Sequence, residues 1–134
     1  MDRAAARQRV ARARVGRLCT VTADHRPHVV PCCFVLHAGT AYSAIDRKPK
    51  STLVLRRLQN LWTNAAASLL VDHYAEDWSE LWWVRLDGSG RTVESEDERA
   101  RALEMLARKY RQYREAPPLG AVIALDVERW RSWP

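Results

Sequence analysis

The chain has 134 residues, of which 47% are hydrophobic and 28% are charged. This length fits one domain, and the apolar fraction excludes a disordered or fibrous chain because it is sufficient to build a core. We therefore expect a single globular domain over residues 1–134. The formal net charge of +6 favours an anionic partner without identifying it.

The positive charge is concentrated in the first part of the chain. Residues 1–57 contain 12 basic and 3 acidic side chains, whereas residues 58–134 contain 10 basic and 13 acidic ones. An anionic ligand is therefore expected to bind elements that the first 57 residues form.

Cysteine usage favours a reducing environment. Cys19, Cys32 and Cys33 are odd in number, and adjacent cysteines rarely form a structural disulfide. We expect a cytoplasmic location, with Cys32 and Cys33 as small buried apolar residues.

The charged N-terminus is not followed by an apolar h-region, which argues against a secretory signal. No stretch has the ~20 apolar residues that a membrane span needs.

The first half of the chain predicts a helix followed by three strands. Residues 1–16 are rich in Ala and Arg, with Ala6, Val10 and Ala13 on one side of the predicted helix. Strands are predicted at 17–22, 28–36 and 41–45, and Pro31 favours an edge or a bulge for the second. Because the links are short, we expect an antiparallel meander.

The rest of the chain predicts two more helices and three more strands. A helix over 51–63 would begin at Ser51 or Thr52 and bury an apolar face formed by Val54, Leu55, Leu58, Leu61 and Trp62. Strands are predicted at 67–74, 81–86 and 121–127. After the glycines at 88 and 90, the chain either turns or continues past a bulge into 91–93. Ser95 and Glu98 form a capping-box pattern before a helix over 96–110. About six strands in hairpins indicate a small closed or partly closed barrel.

The basic segment Lys48-Pro49-Lys50-Ser51-Thr52 is a candidate anion site. Ammonium groups, hydroxyls and the free amides of a helix N-terminus would converge there on an anion such as phosphate. The alternative is a solvated basic loop with an ordinary helix cap. Without a glycine-rich stretch, the segment is not a P-loop, which argues against nucleotide triphosphate hydrolysis.

Six tryptophans are more than core filling needs. Trp82 and Trp83 are neighbours in one predicted strand, so they must point to opposite faces of the sheet. One of them therefore faces a ligand, a helix or a second subunit. The alternative is that the tryptophans serve the core and a dimer interface, where Trp is enriched.

Metal and nucleic-acid binding are less consistent with the sequence. His25, His28, Cys32 and Cys33 lack the spacing of a structural zinc site, so we expect no metal. The arginines of residues 3–17 resemble a phosphate-binding arm, but no nucleic-acid-binding motif accompanies them. We interpret them as a solvated helix face.

Three segments together resemble a known family. Residues 42–51, 68–74 and 82–88, in this order after three strands, resemble the split β-barrel flavin and deazaflavin oxidoreductases, the pyridoxamine-phosphate-oxidase-like proteins. The small actinobacterial branch that uses coenzyme F420 is the most similar. The resemblance covers residues 14–133. It implies a mainly β (α+β) fold, namely a six-stranded antiparallel split β-barrel of the FMN-binding type with flanking helices, in a homodimer with cofactor sites at the subunit interface.

The resemblance also implies a cofactor site. The strand containing Val30, Pro31 and Cys32 would line the flavin or deazaflavin ring, while Ser43 and Ala44 would reach the phosphate. The phosphate would be gripped by Lys48, Pro49, Lys50 and Ser51, and Trp83 would come from the other subunit. The weaker substrate candidates, which would pack over the substrate or the ring, are Tyr74, Trp78 and Trp82.

Departures from the FMN-binding pattern favour coenzyme F420. That pattern has Arg at the position of Val30, Lys near Val35 and Arg at the position of Pro49. Positive charge is found instead at Arg47, Lys48, Lys50, Arg56 and, as a further candidate, Arg57. A spread basic groove suits the long tail of F420, which carries a phosphodiester and several carboxylates.

The resemblance therefore implies an F420-dependent oxidoreductase that transfers a hydride between the deazaflavin and a small unsaturated or quinone-like substrate. The alternatives are an FMN-dependent oxidase or flavin reductase of the same fold and a non-catalytic F420-binding protein. Because the cofactor performs the difficult chemistry, we name no catalytic residue.

Overall fold

The structure, a computed structural model, describes residues 1–45 and 52–134, with only the backbone of residues 52–55. This part of the chain forms seven strands and four α-helices. In order they are α1 (Arg3–Arg12), β1 (Gly16–Val21), β2 (Pro27–Cys32), β3 (Val35–His37), β4 (Thr40–Ala44), α2 (Thr52–Thr63), β5 (Ala66–His73), a 3-10 turn (Trp78–Glu80), β6 (Trp82–Thr92), α3 (Glu96–Lys109), α4 (Arg111–Glu115) and β7 (Val122–Trp133).

The strands form one antiparallel sheet in the order β2-β1-β5-β6-β7-β4-β3. The predicted mainly β split barrel is confirmed, but the count of six strands is wrong. The predicted strand over 28–36 is interrupted at Cys33 and Phe34, and its two parts lie at opposite edges of the sheet. The predicted three-stranded meander is therefore also wrong, whereas the edge position that Pro31 predicted for β2 is confirmed.

Contacts from α3 explain the interruption between β2 and β3. The backbone N–H of Phe34 donates to the Tyr110 hydroxyl at 3.0 Å, and Lys109 Nζ donates to the Phe34 carbonyl at 2.8 Å. Both main-chain groups of Phe34 are therefore engaged by side chains rather than by a neighbouring strand. Since only two residues separate β2 from β3, the sheet must curl until its two edges lie close together.

The curled sheet encloses the first of two apolar cores. Fully buried side chains from several strands meet inside it, among them Phe34, Val71, Val84 and Leu86. The second core lies on the outside, where Ala102 and Leu106 of α3 and Tyr110 and Tyr113 pack against β3, β4 and β7. Helix α3 begins as predicted, because the Ser95 hydroxyl accepts the N–H of Glu98 at 3.3 Å.

Helix α1 packs on the barrel core. Ala6 and Val10 are buried in that core, as the predicted apolar stripe requires. The helix ends at Arg12 rather than at residue 16, because Gly16 already pairs with Cys32 in the sheet. Its charged face is not merely solvated as expected: the guanidinium groups of three arginines lie 5.1–5.2 Å from tryptophan ring centroids. These pairs are Arg3 and Arg7 with Trp130, and Arg9 with Trp82.

Strand β6 continues through its glycines, which confirms the bulge alternative. Asp87 pairs with Arg129 and Gly88 with Val127, so Glu128 is the extra residue of the bulge. A Cβ atom at Gly88 would lie 2.0 Å from the Asp126 carbonyl oxygen, so only glycine fits this position. Strand β7 also extends to Trp133, well beyond its predicted end at residue 127.

Helix α2 buries Leu58 and Leu61 in the barrel core, as predicted. The prediction for Trp62 is wrong, since 67% of this residue is exposed. Trp62 lies about 100° around the helix from Leu61, which turns it away from the core. The side chains of Val54 and Leu55 lie outside the described part.

In the described part of the chain, no helix is long and apolar enough to cross a membrane.

Candidate cofactor-binding site

Strand β2 provides a backbone edge that a ligand can reach. One side of β2 pairs with β1, and in the described part of the chain no strand pairs with its other side. The main-chain N–H and C=O groups on that side are therefore available as donors and acceptors. Val30 and Cys32 point inward to the barrel core, while Pro31 is exposed on the outer face. Pro31 itself supplies no N–H.

The curl of the sheet brings β4 to the same place. Ser43 and Ala44 are both buried in β4. Ser43 lies beside Cys32, where it is one of the groups that act on the thiol. Burial raises the pKa of the Cys32 thiol, and the opposing effects of Ser43 and of the positive charge of Arg57 do not reverse this direction. The thiol is therefore neutral, and the structure brings Cys32 of the edge strand β2 beside Ser43 of β4, whereas Ala44 faces the second core.

Helix α2, which packs against β1 and β6, adds positive charge that acts on Cys32 and on the turn between β1 and β2. Arg56 is exposed and acts electrostatically on Asp24 in the turn between β1 and β2. Arg57 is half-buried, and its charge acts on Cys32. The Nε atom of Arg57 is buried and has no hydrogen-bond partner in the described part of the chain.

The charge of Arg57 therefore acts on the Cys32 thiol, whereas Arg56 lines a different groove, formed by α2 and the turn between β1 and β2. The sequence predicts Arg56 in the site, with Arg57 only as a further candidate. The available signal was the position of Arg57 directly before Leu58, at the border of the buried stripe. The predicted residues Lys48, Pro49, Lys50 and Ser51 lie outside the described residues.

The tryptophan pair on β6 divides between the two faces of the sheet, as predicted. Trp82 packs against the barrel core, stacks on His73 with 6.3 Å between ring centroids and lies under the guanidinium of Arg9. Trp83 lies on the outer face, opposite Trp133 in register and 6.0 Å from the Arg85 guanidinium.

A cleft of about 320 Å³ lies at this end of the sheet. Tyr74, Trp82 and Trp83 line it, together with Asp72, His73, Leu81 and Trp133. The third substrate candidate, Trp78, is 70% exposed and does not line the cleft. Within one chain, the cleft shares no lining residue with the site formed by β2, β4 and α2.

Metal ligands are not grouped in the described residues. No cluster of three or more His, Cys, Asp or Glu side chains suited to a metal ion occurs there. Cys19, Cys32 and Cys33 are free thiols.

The donor set suits a ring with polar edges that carries an anionic group. The free edge of β2 offers main-chain donors and acceptors, as a flavin-type ring requires, and Arg57 offers a cationic group whose Nε has no hydrogen-bond partner among the described residues. Guanidinium groups recognise phosphate through paired N–H donors. The residues present therefore fit a cofactor of this kind.

A curled antiparallel sheet with an accessible edge strand beside a cationic helix defines the split-barrel class of cofactor-binding proteins. The chain belongs to the pyridoxamine 5'-phosphate oxidase family, whose sequence pattern it matches over residues 3–134. No curated protein sequence matches it significantly.

Solved structures are similar to this fold over nearly the whole chain. A conserved hypothetical protein from Mycobacterium tuberculosis is 20% identical, with a TM-score of 0.81 over 99% of this chain and 84% of that one. A heme-binding protein from Mycobacterium smegmatis is 22% identical, with a TM-score of 0.77 over 96% of this chain and 52% of that one. An FAD-binding protein from the same organism is 18% identical, with a TM-score of 0.68 over 99% and 94%.

Proposed function

We propose that this protein is an oxidoreductase that binds coenzyme F420 and promotes hydride transfer between the deazaflavin and a small unsaturated or quinone-like substrate. The observation that carries this proposal is the environment of Val30. At this position of β2 the FMN-binding pattern has an arginine, but the valine side chain packs against the barrel core. Strand β2 therefore offers backbone groups and no cation to a compact phosphate.

The positive charge near the site is distributed rather than focused. The charge of Arg57 acts on Cys32, whereas that of the neighbouring Arg56 acts on Asp24 in the turn between β1 and β2. Further basic residues precede the helix in the sequence, at Arg47, Lys48 and Lys50. This distribution suits a long anionic tail with several charges better than one phosphate monoester.

The chain itself would bind and orient the cofactor. The edge of β2 would hold the ring through main-chain hydrogen bonds, and Ser43 and Arg57 would hold the phosphate end of the tail. When bound, the deazaflavin supplies two-electron hydride chemistry. No side chain of the described site is required as a general acid or base. The protein would therefore position the cofactor and provide the electrostatic environment for the reaction.

A homodimer would complete the site. The outer face of the sheet exposes Val29 (58%) and Leu70 (36%), with Trp83 and Trp133 further along the same face. A second copy packed on this face would bury that apolar surface and bring the aromatic cleft of one protomer near the β2 edge of its partner. Light scattering tests this directly, and a strict monomer at micromolar concentration would contradict it.

Cofactor titration tests the function. The purified protein is titrated with coenzyme F420, FMN and hemin, the last because one similar structure is described as heme-binding. We expect micromolar or tighter binding of F420 and weaker binding of FMN. Tighter binding of FMN would instead support the flavin-dependent oxidase or reductase, and a Soret band with hemin would support a heme protein. Binding of F420 without turnover of any enone or quinone in a broad panel would indicate a non-catalytic binding protein.

A further inference from the structure

The arginines of α1 form a positively charged surface that the proposed function does not use. The helix contains no acidic residue and four arginines, namely Arg3, Arg7, Arg9 and Arg12. No ion pair among the described residues includes any of the four. The carboxylate of the N-cap residue Asp2 accepts the backbone N–H of Ala5 at 2.8 Å. No carboxylate of the described chain therefore pairs with the charge of this helix.

Arg3 and Arg7 share one aromatic ring. The Cζ atom of each lies 5.2 Å from the ring centroid of Trp130, so the two guanidinium groups cannot be farther apart than twice that distance. Like charges one helical turn apart repel each other, which disfavours this arrangement in the free protein. The cation–π contact engages the charge of each group, and no hydrogen bond among the described residues uses its N–H donors. Two sets of unused donors therefore lie side by side.

These two arginines are accessible from solvent. Arg3 and Arg7 are both exposed, while Ala6 and Val10 on the opposite side of α1 are buried in the barrel core. The helix thus lies on the core side of the sheet. The homodimer that we propose uses the outer face of the sheet, so it would leave this surface open.

We infer that Arg3 and Arg7, held side by side on Trp130, bind the phosphate backbone of nucleic acid. This inference goes beyond the proposed function and does not depend on it. A guanidinium binds phosphate oxygens through paired N–H donors, and a phosphate backbone presents closely spaced negative charges that relieve the repulsion between the two cations. Backbone contacts carry no sequence information, so they need no motif that reads bases.

The other side chains of α1 favour nucleic acid over a lipid surface. Apart from the arginines, the exposed positions of the helix are Ala4, Gln8 and Ala11. Helices that bind membranes insert bulky apolar side chains such as Trp, Phe or Leu between the lipids, and α1 exposes none. Anionic lipid vesicles and polyglutamate, a polyanion without phosphate, therefore serve as comparison probes.

The test measures binding of a short mixed-sequence DNA duplex as a function of salt. We expect the wild type to bind at low salt, with a slope of log K against log salt of about −2 or steeper, since each phosphate contact contributes about −0.9. Arg3→Gln/Arg7→Gln should bind the duplex about 10- to 100-fold more weakly at low salt, and its slope should be shallower by about 2.

A matched control removes the same charge elsewhere. Arg108→Gln/Arg111→Gln alters two exposed arginines whose partners are Glu104 and Glu115. Because those arginines are already paired, DNA affinity should change less than about threefold. Arg3→Lys/Arg7→Lys keeps both charges, so it should retain the salt slope of the wild type and most of the affinity. Melting curves establish that each variant is folded, and the Lys variant tests the site even where the Gln variant is unstable.

The other outcomes overturn the inference. Equal weakening in the control variant would mean that net charge alone attracts DNA. Unchanged DNA affinity in a folded Arg3→Gln/Arg7→Gln variant would assign the two arginines to packing on Trp130 only. Vesicles or polyglutamate bound as tightly as the duplex would exclude a preference for nucleic acid. A wild type that does not bind DNA at low salt would also overturn it, whatever the cofactor titration shows.

Discussion

Arg91 and Arg57 are both partly buried beside the sheet, but only Arg91 has carboxylate partners in the described part of the chain. Arg91 donates to both oxygens of Glu98 at 2.8 Å and to Asp126 at 2.7 Å. The Tyr42 hydroxyl also donates to Glu98 at 2.7 Å, and Thr40 donates to Asp126 at 3.0 Å. This cluster links β4, β6, β7 and α3.

The difference separates a structural region from the region that we propose to bind the cofactor. At Arg91 one guanidinium pairs with two carboxylates, so the cluster contributes to the folded state as it stands. At Arg57, Nε is buried and has no hydrogen-bond partner among the described residues. Substitutions at the two arginines are therefore expected to have different effects.

The largest expected effect is on the paired side. Arg91→Leu removes the cation that separates two carboxylates and leaves Glu98 and Asp126 facing each other. We expect a loss of about 2–3 kcal/mol in the free energy of unfolding, less than for a fully buried pair because 41% of the Arg91 side chain is exposed. Urea unfolding measures it. Arg108→Leu, at an exposed i,i+4 pair, should change stability by less than about 0.5 kcal/mol. Equal effects of the two substitutions would show that the Arg91 cluster stabilises the fold no more than an exposed ion pair does.

A smaller loss is expected where the two sheet edges meet. Tyr110→Phe removes the hydroxyl that accepts the Phe34 N–H and lies 3.0 Å from the Arg14 carbonyl oxygen. The N–H is left buried without a partner, so we expect a loss of about 1–2 kcal/mol in stability. Because Phe34 lies only two residues beyond the end of β2, cofactor affinity should also fall. The matched control is Tyr74→Phe, which alters a residue that is 72% exposed. If the unfolding curves of Tyr110→Phe and Tyr74→Phe coincide, this account is contradicted.

The local elements of the fold were predictable because they rest on local patterns. The apolar positions Ala6 and Val10, the Ser95 cap and the glycines of β6 each determine structure within a few residues. The split of 28–36 into two edge strands was not predictable in this way. It depends on Tyr110 and Lys109, which lie about 75 residues further along the chain.

The site was predictable to a similar degree. Val30, Cys32 and Ser43 were expected near the cofactor, and the structure brings their strands together. The choice between Arg56 and Arg57 depends on the rotation of α2 against the sheet, and neighbouring residues of a helix differ by about 100° in direction. The same rotation leaves Trp62 exposed. An apolar pattern alone does not fix this angle to better than one residue.

A further effect is a dependence of stability on pH that belongs to the paired side alone. The hydrogen bonds and charge of Arg91, with the Tyr42 hydroxyl, lower the pKa of Glu98 from 4.5 to about 2. A carboxyl whose pKa is lower in the folded state stabilises the fold above its ordinary pKa, and that contribution is lost as the pH falls from about 4.5 toward 2. Glu98→Gln should therefore be less stable than the wild type at pH 6, and the difference should shrink steadily below pH 4.5.

Arg57→Leu should leave this profile parallel to that of the wild type, because no carboxylate in the described chain is paired with Arg57. Urea midpoints measured from pH 7 to pH 2.5 compare the three proteins. A Glu98→Gln deficit that stays constant over this range would mean that the Arg91 cluster acts through packing rather than through its charges.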